Sequence, residues 1–367
     1  MEENQEVTNS AILKHYLSSL LIYGLVLLFI TFCPAFTDSV LESPVNYAIF
    51  FLIYYICYAI FALPLFYKFR PKSILNSHNV AIIDYVKRQF NKGETTQDWL
   101  KNIEPTDFEK QSMMILFMKS FFGVYCVNML LSKYLPSLDY SISFLKEMFT
   151  QALTYTNDGQ GLAMGILQYI DDTADMWIKI FIMLTTLILT ISYLTDLDLF
   201  KNKIKSIDTT PLGVISCLVC YYPFTILASN FIKIYEGELV PVGNLPIRII
   251  LNILSVFANL MILIAVARLN TKSGNLTNRG IVQGFPYNVI RHPDYTMQVL
   301  YIIATTAPLL FISNISLIGK TIIVCGTAAW IFIYYLRAIT EERHLIKDSE
   351  YQQYCEKVKY RFIPKLF

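Results

Sequence analysis

Charge is scarce in this chain. Asp, Glu, Lys and Arg make up 16% of its 367 residues, against about 25% in soluble domains, while 54% are hydrophobic. That balance excludes a soluble globular core and indicates a polytopic membrane protein. The net charge is only +2, and no basic run interleaved with aromatics is present, which excludes a nucleic-acid partner. Met1-Glu2-Glu3-Asn4-Gln5-Glu6-Val7 has neither a signal-peptide n-region nor the arginines of a transit sequence. The first apolar segment is therefore expected to direct its own insertion. Internal repeats and low-complexity tracts are lacking too. Cysteines 33, 57, 126, 217, 220, 325 and 355 fall mostly inside apolar runs, so they read as small buried hydrophobes and not as a disulfide framework. Cys217 and Cys220 form Cys-x-x-Cys, but with no second pair or nearby His the spacing favours packing, and no metal is expected.

What the chain does have is long apolar runs, at about 13–33, 46–67, 112–132, 176–195, 211–235, 247–267, 296–313 and 317–338. Each is long enough, or nearly so, to cross a bilayer core as a helix. Lys and Arg gather in 68–110, 201–205, 268–291 and 337–365, every second connection, as the positive-inside rule requires of cytoplasmic-type loops. The expected fold is an all-α membrane bundle of about eight transmembrane helices with both termini on the inner side. Pro64, Pro223 and Pro308 lie within apolar runs and are expected to kink them.

Two connections are long. In 68–110, Val80, Ile82, Ile83, Val86 and Phe90 recur at helical spacing against Asp84, Lys87 and Arg88, which predicts a helix lying in the interface. The 136–175 stretch is expected as an outer loop. It is mildly acidic, with a turn at Asn157-Asp-Gly-Gln-Gly161, and is a candidate contact for a partner protein. By motif content the chain divides into 1–240, a scaffold of five helices with these two loops, and 241–367, which carries the candidate chemistry.

That chemistry lies in two polar clusters. Gly284-Phe-Pro-Tyr-Asn-Val-Ile-Arg-His-Pro-Asp-Tyr295 precedes the last two apolar runs, and Glu341-Glu342-Arg343-His344-Leu345 follows them. An out-and-back hairpin returns Arg291, His292, Glu341 and Glu342 to one membrane face, where cationic, aromatic and anionic groups can close on a small zwitterion. The two glutamates sit at the C-terminal end of a helix, where acidic groups oppose the macrodipole. Such a placement points to a role beyond solvation.

The pattern Gly284-x-Pro286-Tyr287-x-x-x-Arg291-His292-Pro293-x-Tyr295, then Glu341-Glu342-x-x-Leu345, then Tyr351-x-x-Tyr354 and a basic tail with Arg361 and Pro364 resembles the integral-membrane methyltransferases. That group includes isoprenylcysteine carboxyl methyltransferase and the phospholipid N-methyltransferases. The resemblance covers about the last hundred residues and implies S-adenosylmethionine as cofactor and a lipophilic acceptor reached from the membrane lipids. A prenylated-cysteine carboxylate is favoured over a phospholipid amine. It further implies Arg291 and Glu342 as catalytic residues, with Tyr287, Arg291, His292, Pro293, Tyr295, Glu341 and Glu342 around the cofactor. The acidic pair would hold its amino group, Arg291 its carboxylate, and the rings of Tyr287, His292 and Tyr295 its adenine. The endoplasmic reticulum is the expected membrane, with the inner mitochondrial membrane as alternative.

The chain carries Met297 where that family usually has Gly after the Thr at 296. The alternative this opens is a catalytically silent, methyltransferase-like structural subunit of a larger membrane complex. The tail Tyr354-Cys355-Glu-Lys-Val358-Lys-Tyr360-Arg361-Phe-Ile-Pro364 also resembles that of NADPH-dependent sterol reductases, which supplies a second alternative.

Overall fold

A computed structural model describes residues 6–32, 44–90, 104–157, 161–196, 201–226, 244–312 and 314–365. The chain folds as two compact units, 1–132 and 133–367. Almost all of the regular structure is helical.

The first unit holds α1 (Asn9–Phe32), α2 (Pro44–Phe69), α3 (His78–Phe90) and α4 (Asp107–Asn128). The apolar stretch of α2 is only 6% buried inside the protein, and α1 leaves Leu13, Leu17, Leu21, Leu25 and Leu28 exposed. Water does not tolerate two such faces, whereas lipid does. The helix expected over residues 80–90 is α3, and its polar side is used: Asp84 pairs with Lys14 at 2.8 Å and Arg88 with Glu109 at 2.7 Å. α4 opens on a capping box, Thr106 accepting from Glu109 N while the Glu109 carboxylate accepts from Thr106 N.

The second unit holds α5 (Leu138–Asn157), α6 (Leu162–Leu194), α7 (Pro211–Leu218), α8 (Leu245–Leu269), α9 (Pro293–Thr306), α10 (Leu317–Leu345) and α11 (Ser349–Lys357). α8 packs along α6 and α9, α5 along α6, and α10 along α9 and α7. A two-residue ladder, β1 (Ser206–Ile207) with β2 (Thr277–Asn278), runs antiparallel and pins the segment after α8.

Six helices among the described residues are long and apolar enough to span: 9–32, 48–69, 107–134, 162–194, 245–272 and 317–345. Two of the eight expected crossings differ. In 211–235 the helix α7 stops at Leu218, Pro223 falls in a turn beyond it, and residues 227–235 lie outside the described ones. In 296–313, α9 gives way at Ala307 to a short 3-10 turn, where Pro308 lacks the N–H an α-helix needs. Pro64 leaves α2 continuous through Phe69.

The 136–175 stretch is a correction: it is helical and not a loop. It forms α5 and the opening turns of α6, with residues 158–160 of the expected turn outside the described ones. Its acidic character misled, because Asp171 is turned inward. The Asp171 carboxylate accepts from Arg248 Nε at 2.8 Å and from Asn252 Nδ2 at 3.0 Å, tying α6 to α8.

Candidate functional site

The polar stretch 284–295 turns sharply before α9. Tyr287 N donates to Gly284 O at 2.8 Å and Val289 N to Pro286 O at 3.1 Å, around a cis Phe285–Pro286 bond. The Arg268 guanidinium lies over Gly284, where a Cβ would meet it at 1.8–2.1 Å and oblige that long side chain to move aside. Arg291 N and His292 N then donate to Tyr360 O and Arg361 O at 2.9 and 3.0 Å, so the C-terminal tail runs beside the motif. Pro293 is buried at the first position of α9, where its missing N–H carries no penalty.

Both clusters meet. Glu342 Oε1 accepts from Arg291 Nε at 2.7 Å and from His292 Nε2 at 3.2 Å, and Oε2 accepts from Arg361 Nε at 2.8 Å. An ionised carboxylate only accepts, so His292 carries its proton on Nε2 in this contact. Arg291 Nη1 also donates to Val358 O and Lys359 O, both at 3.1 Å. Arg291, His292, Glu342 and Arg361 thus form a clasp that locks the tail to the α9–α10 hairpin.

Glu341 points elsewhere. Its Oε2 accepts from Tyr295 OH at 2.8 Å, and it borders a cavity of about 290 Å³ within the second unit, which Glu342 does not line. That volume lies at the low end of small-ligand sites, roughly 300–1,000 Å³. Tyr287, Arg291, His292 and Tyr295 also reach this cavity. His292 and Tyr295 stack, centroids 5.4 Å apart with planes 9° from parallel. Met297, at the position where the resemblance expects glycine, does not line it.

The lining also carries Tyr351 and Tyr354, packed with Tyr287, Ala265 and Val358. Tyr354 OH donates to Tyr287 O at 2.6 Å. Burial pushes the phenols of Tyr287, Tyr351 and Tyr354 up, so all three stay neutral.

Some cavity residues escaped the sequence reading. Arg337 opens the basic stretch 337–365 and carries no motif of its own, yet it faces the cavity with Tyr334, Glu341 and Leu345. The spacing 334, 337, 341, 345 is one face of a helix, and it was the available signal. Asn275, Tyr193 and Tyr221 had none, because they arrive from three different segments. Charge on the lining is mixed: Lys272, Arg279, Arg291 and Arg337 against Asp294 and Glu341. Arg279 is tied to the backbone through Nη1 alone, which donates to Ser192 O at 2.9 Å and to Asn202 O and Thr271 O at 3.2 Å, while its buried Nε and Nη2 have no partner among the described residues.

Comparison with protein-family models, with curated proteins and with solved structures finds no match. The class that fold and site define is an all-α integral membrane protein with a charged, tyrosine-lined cavity in its C-terminal unit.

Proposed function

We propose that the protein is an S-adenosylmethionine-dependent methyltransferase acting on a lipophilic acceptor, a prenylated-cysteine carboxylate before a phospholipid amine. One observation carries the reading: residues 284–295 and 341–342 close on each other at hydrogen-bond distance beside a cavity. The cavity offers what such a cofactor needs. Glu341 is a cavity-lining carboxylate that, with its Oε2 on Tyr295 OH, can also take an ammonium, Arg337 is a cation for a carboxylate, and Tyr287, Tyr351 and Tyr354 give flat apolar wall for adenine.

When bound, S-adenosylmethionine supplies an electrophilic sulfonium methyl, which an acceptor carboxylate oxygen takes as its O–C bond forms and the S–C bond breaks, the electron pair staying on sulfur. No general base is needed for that acceptor. This chain's residues have to orient, shield and exclude water. Glu341, held by Tyr295, positions; the clasp of Glu342, Arg291 and Arg361 fixes the tail beside the motif.

The reading carries with it eight crossings with both termini on the cytoplasmic-type side, membership of the endoplasmic reticulum membrane, and a partner contact in 136–175. That contact now falls on α5, where Tyr140 and Phe149 are exposed. A second reading draws on Lys272, which makes no hydrogen bond or ion pair among the described residues and borders the same cavity: the cations there also suit the phosphates of NADPH.

Titration of the protein in nanodiscs with each cofactor decides. Saturable binding of S-adenosylmethionine, with methyl transfer to a farnesylcysteine acid, is the expected result. NADPH binding instead would establish the reductase, and binding of neither would leave the catalytically silent subunit.

A further inference from the structure

Arg337 is buried in the last third of α10, with 7% of its surface exposed. Its Nη2 donates to Asn275 Oδ1 at 2.8 Å. Among the described residues its side chain makes no other hydrogen bond, and no carboxylate comes within ion-pairing distance. Three rings surround the guanidinium instead: Tyr295 at 4.9 Å, Tyr334 at 5.6 Å and Tyr221 at 5.8 Å. Ring faces attract a cation, but a buried charge without a counter-ion stays costly. The guanidinium carries five N–H donors in one plane, and Asn275 takes one. Asn275 is itself fixed, since its N and Nδ2 both donate to Tyr193 OH, at 2.8 and 2.9 Å. Its amide oxygen is thereby turned to Arg337, and the rest of the fork is left for whatever fills the cavity.

Glu341 lies one helical turn further on and borders the same space. It takes Tyr295 OH and does not pair with Arg337. A cation and an anion therefore stand side by side, about 6 Å of helix apart, both turned to the cavity. That arrangement complements a group whose own carboxylate and ammonium are neighbours. Arg291, the sequence-based choice for the carboxylate, has Nε on Glu342 and Nη1 on two carbonyls.

We propose that Arg337, steadied by Asn275 and framed by three tyrosines, seats the carboxylate of an α-amino-acid group whose ammonium Glu341 receives. This rests on the methyl-transfer reading and deepens it: the group is the methionine end of the donor, and the arginine that holds it is Arg337, not Arg291.

The test compares binding of S-adenosylmethionine with that of its decarboxylated analogue, by calorimetry on the full chain in nanodiscs. Wild type is expected to prefer the carboxylate-bearing form by about 10- to 100-fold, as a lost charged hydrogen bond implies. R337M should bring that preference close to one, while R291K, which keeps a cation beside Glu342 and removes the planar fork, should keep it. Should R337M fail to fold, R337K carries the same comparison, since it keeps the charge without the planar fork and should lose most of the preference. Equal wild-type binding of both ligands overturns the inference and leaves the methyltransferase reading standing. So does a preference that survives R337M or disappears in R291K. If R337M spares that preference and abolishes the one for a farnesylcysteine acid over its methyl ester, the seat serves the acceptor and the amino-acid assignment falls. Binding of neither nucleoside overturns both readings.

Discussion

Arg291 Nε stands 2.7 Å from Glu342 Oε1, although 51 positions of chain separate the two residues. Both side chains are nearly buried, at 10% and 12% exposure. The contact closes the α9–α10 hairpin at its polar end, and Arg361 joins the same carboxylate from the tail. Adjacent glutamates therefore have separate duties, one holding the fold and one facing the cavity.

Glu342→Ala should be mainly a stability variant. It strands two guanidinium groups and His292, and loss of one partner of a buried pair costs about 3–5 kcal/mol. Thermal unfolding in detergent should show a large drop for Glu342→Ala and a small one for Glu341→Gln. Ligand affinity should show the reverse order, with Glu341→Gln losing about tenfold or more.

The tail is the second lever. Removing residues from Val358 onward deletes Arg361, both carbonyl acceptors of Arg291 Nη1 and the backbone bonds at 291 and 292. Proteolysis should then cut between 284 and 295, a stretch protected in the full chain. Tyr354→Phe removes a single bond to Tyr287 O and should cost only about 1 kcal/mol.

Acid should loosen the polar end of the second unit through Asp348. The Asn278 amide at 2.9 Å, with Glu350 N at 2.9 Å and Lys205 at 3.4 Å, holds its carboxyl below the usual carboxylate range. A depressed folded value contributes stability above the unfolded value of about 3.9, and that contribution is lost as pH falls through the folded one. Hydrogen exchange at 277–280 and 349–351, corrected for intrinsic rates, should show protection fading below about pH 4. Asp348→Asn should be less protected at neutral pH and lack the pH dependence.

Between α6 and α8, Asp171→Ala should leave Arg248 half-buried without its carboxylate, at a cost of roughly 3 kcal/mol. Replacing both by apolar residues, Asp171→Leu with Arg248→Met, should recover much of that loss. A double-mutant cycle on unfolding temperature checks it; additive losses would mean that the pair is not coupled.

Six apolar runs could be read as helices long enough to span, because length and apolar content are local properties that a bilayer tests directly. The helix at 78–90 was legible for the same reason, its periodicity being written in adjacent residues. The 136–175 stretch was not. Asp171 looked like solvent-facing charge, and only the approach of Arg248 from another helix turned it into a buried anchor.

What the sequence by itself determined is an all-helical membrane chain with two polar clusters set at the ends of a returning hairpin. The tertiary structure decided which charge meets which. Neighbouring positions on a helix point about 100° apart, so Glu341 meets Tyr295 and Glu342 meets Arg291 and Arg361, with His292 between the two carboxylates, and no reading of their order along the chain separates them. Arg337 likewise acquires its tyrosine frame from α9, from α10 itself and from the segment after α7. That frame exists only once the three pack together.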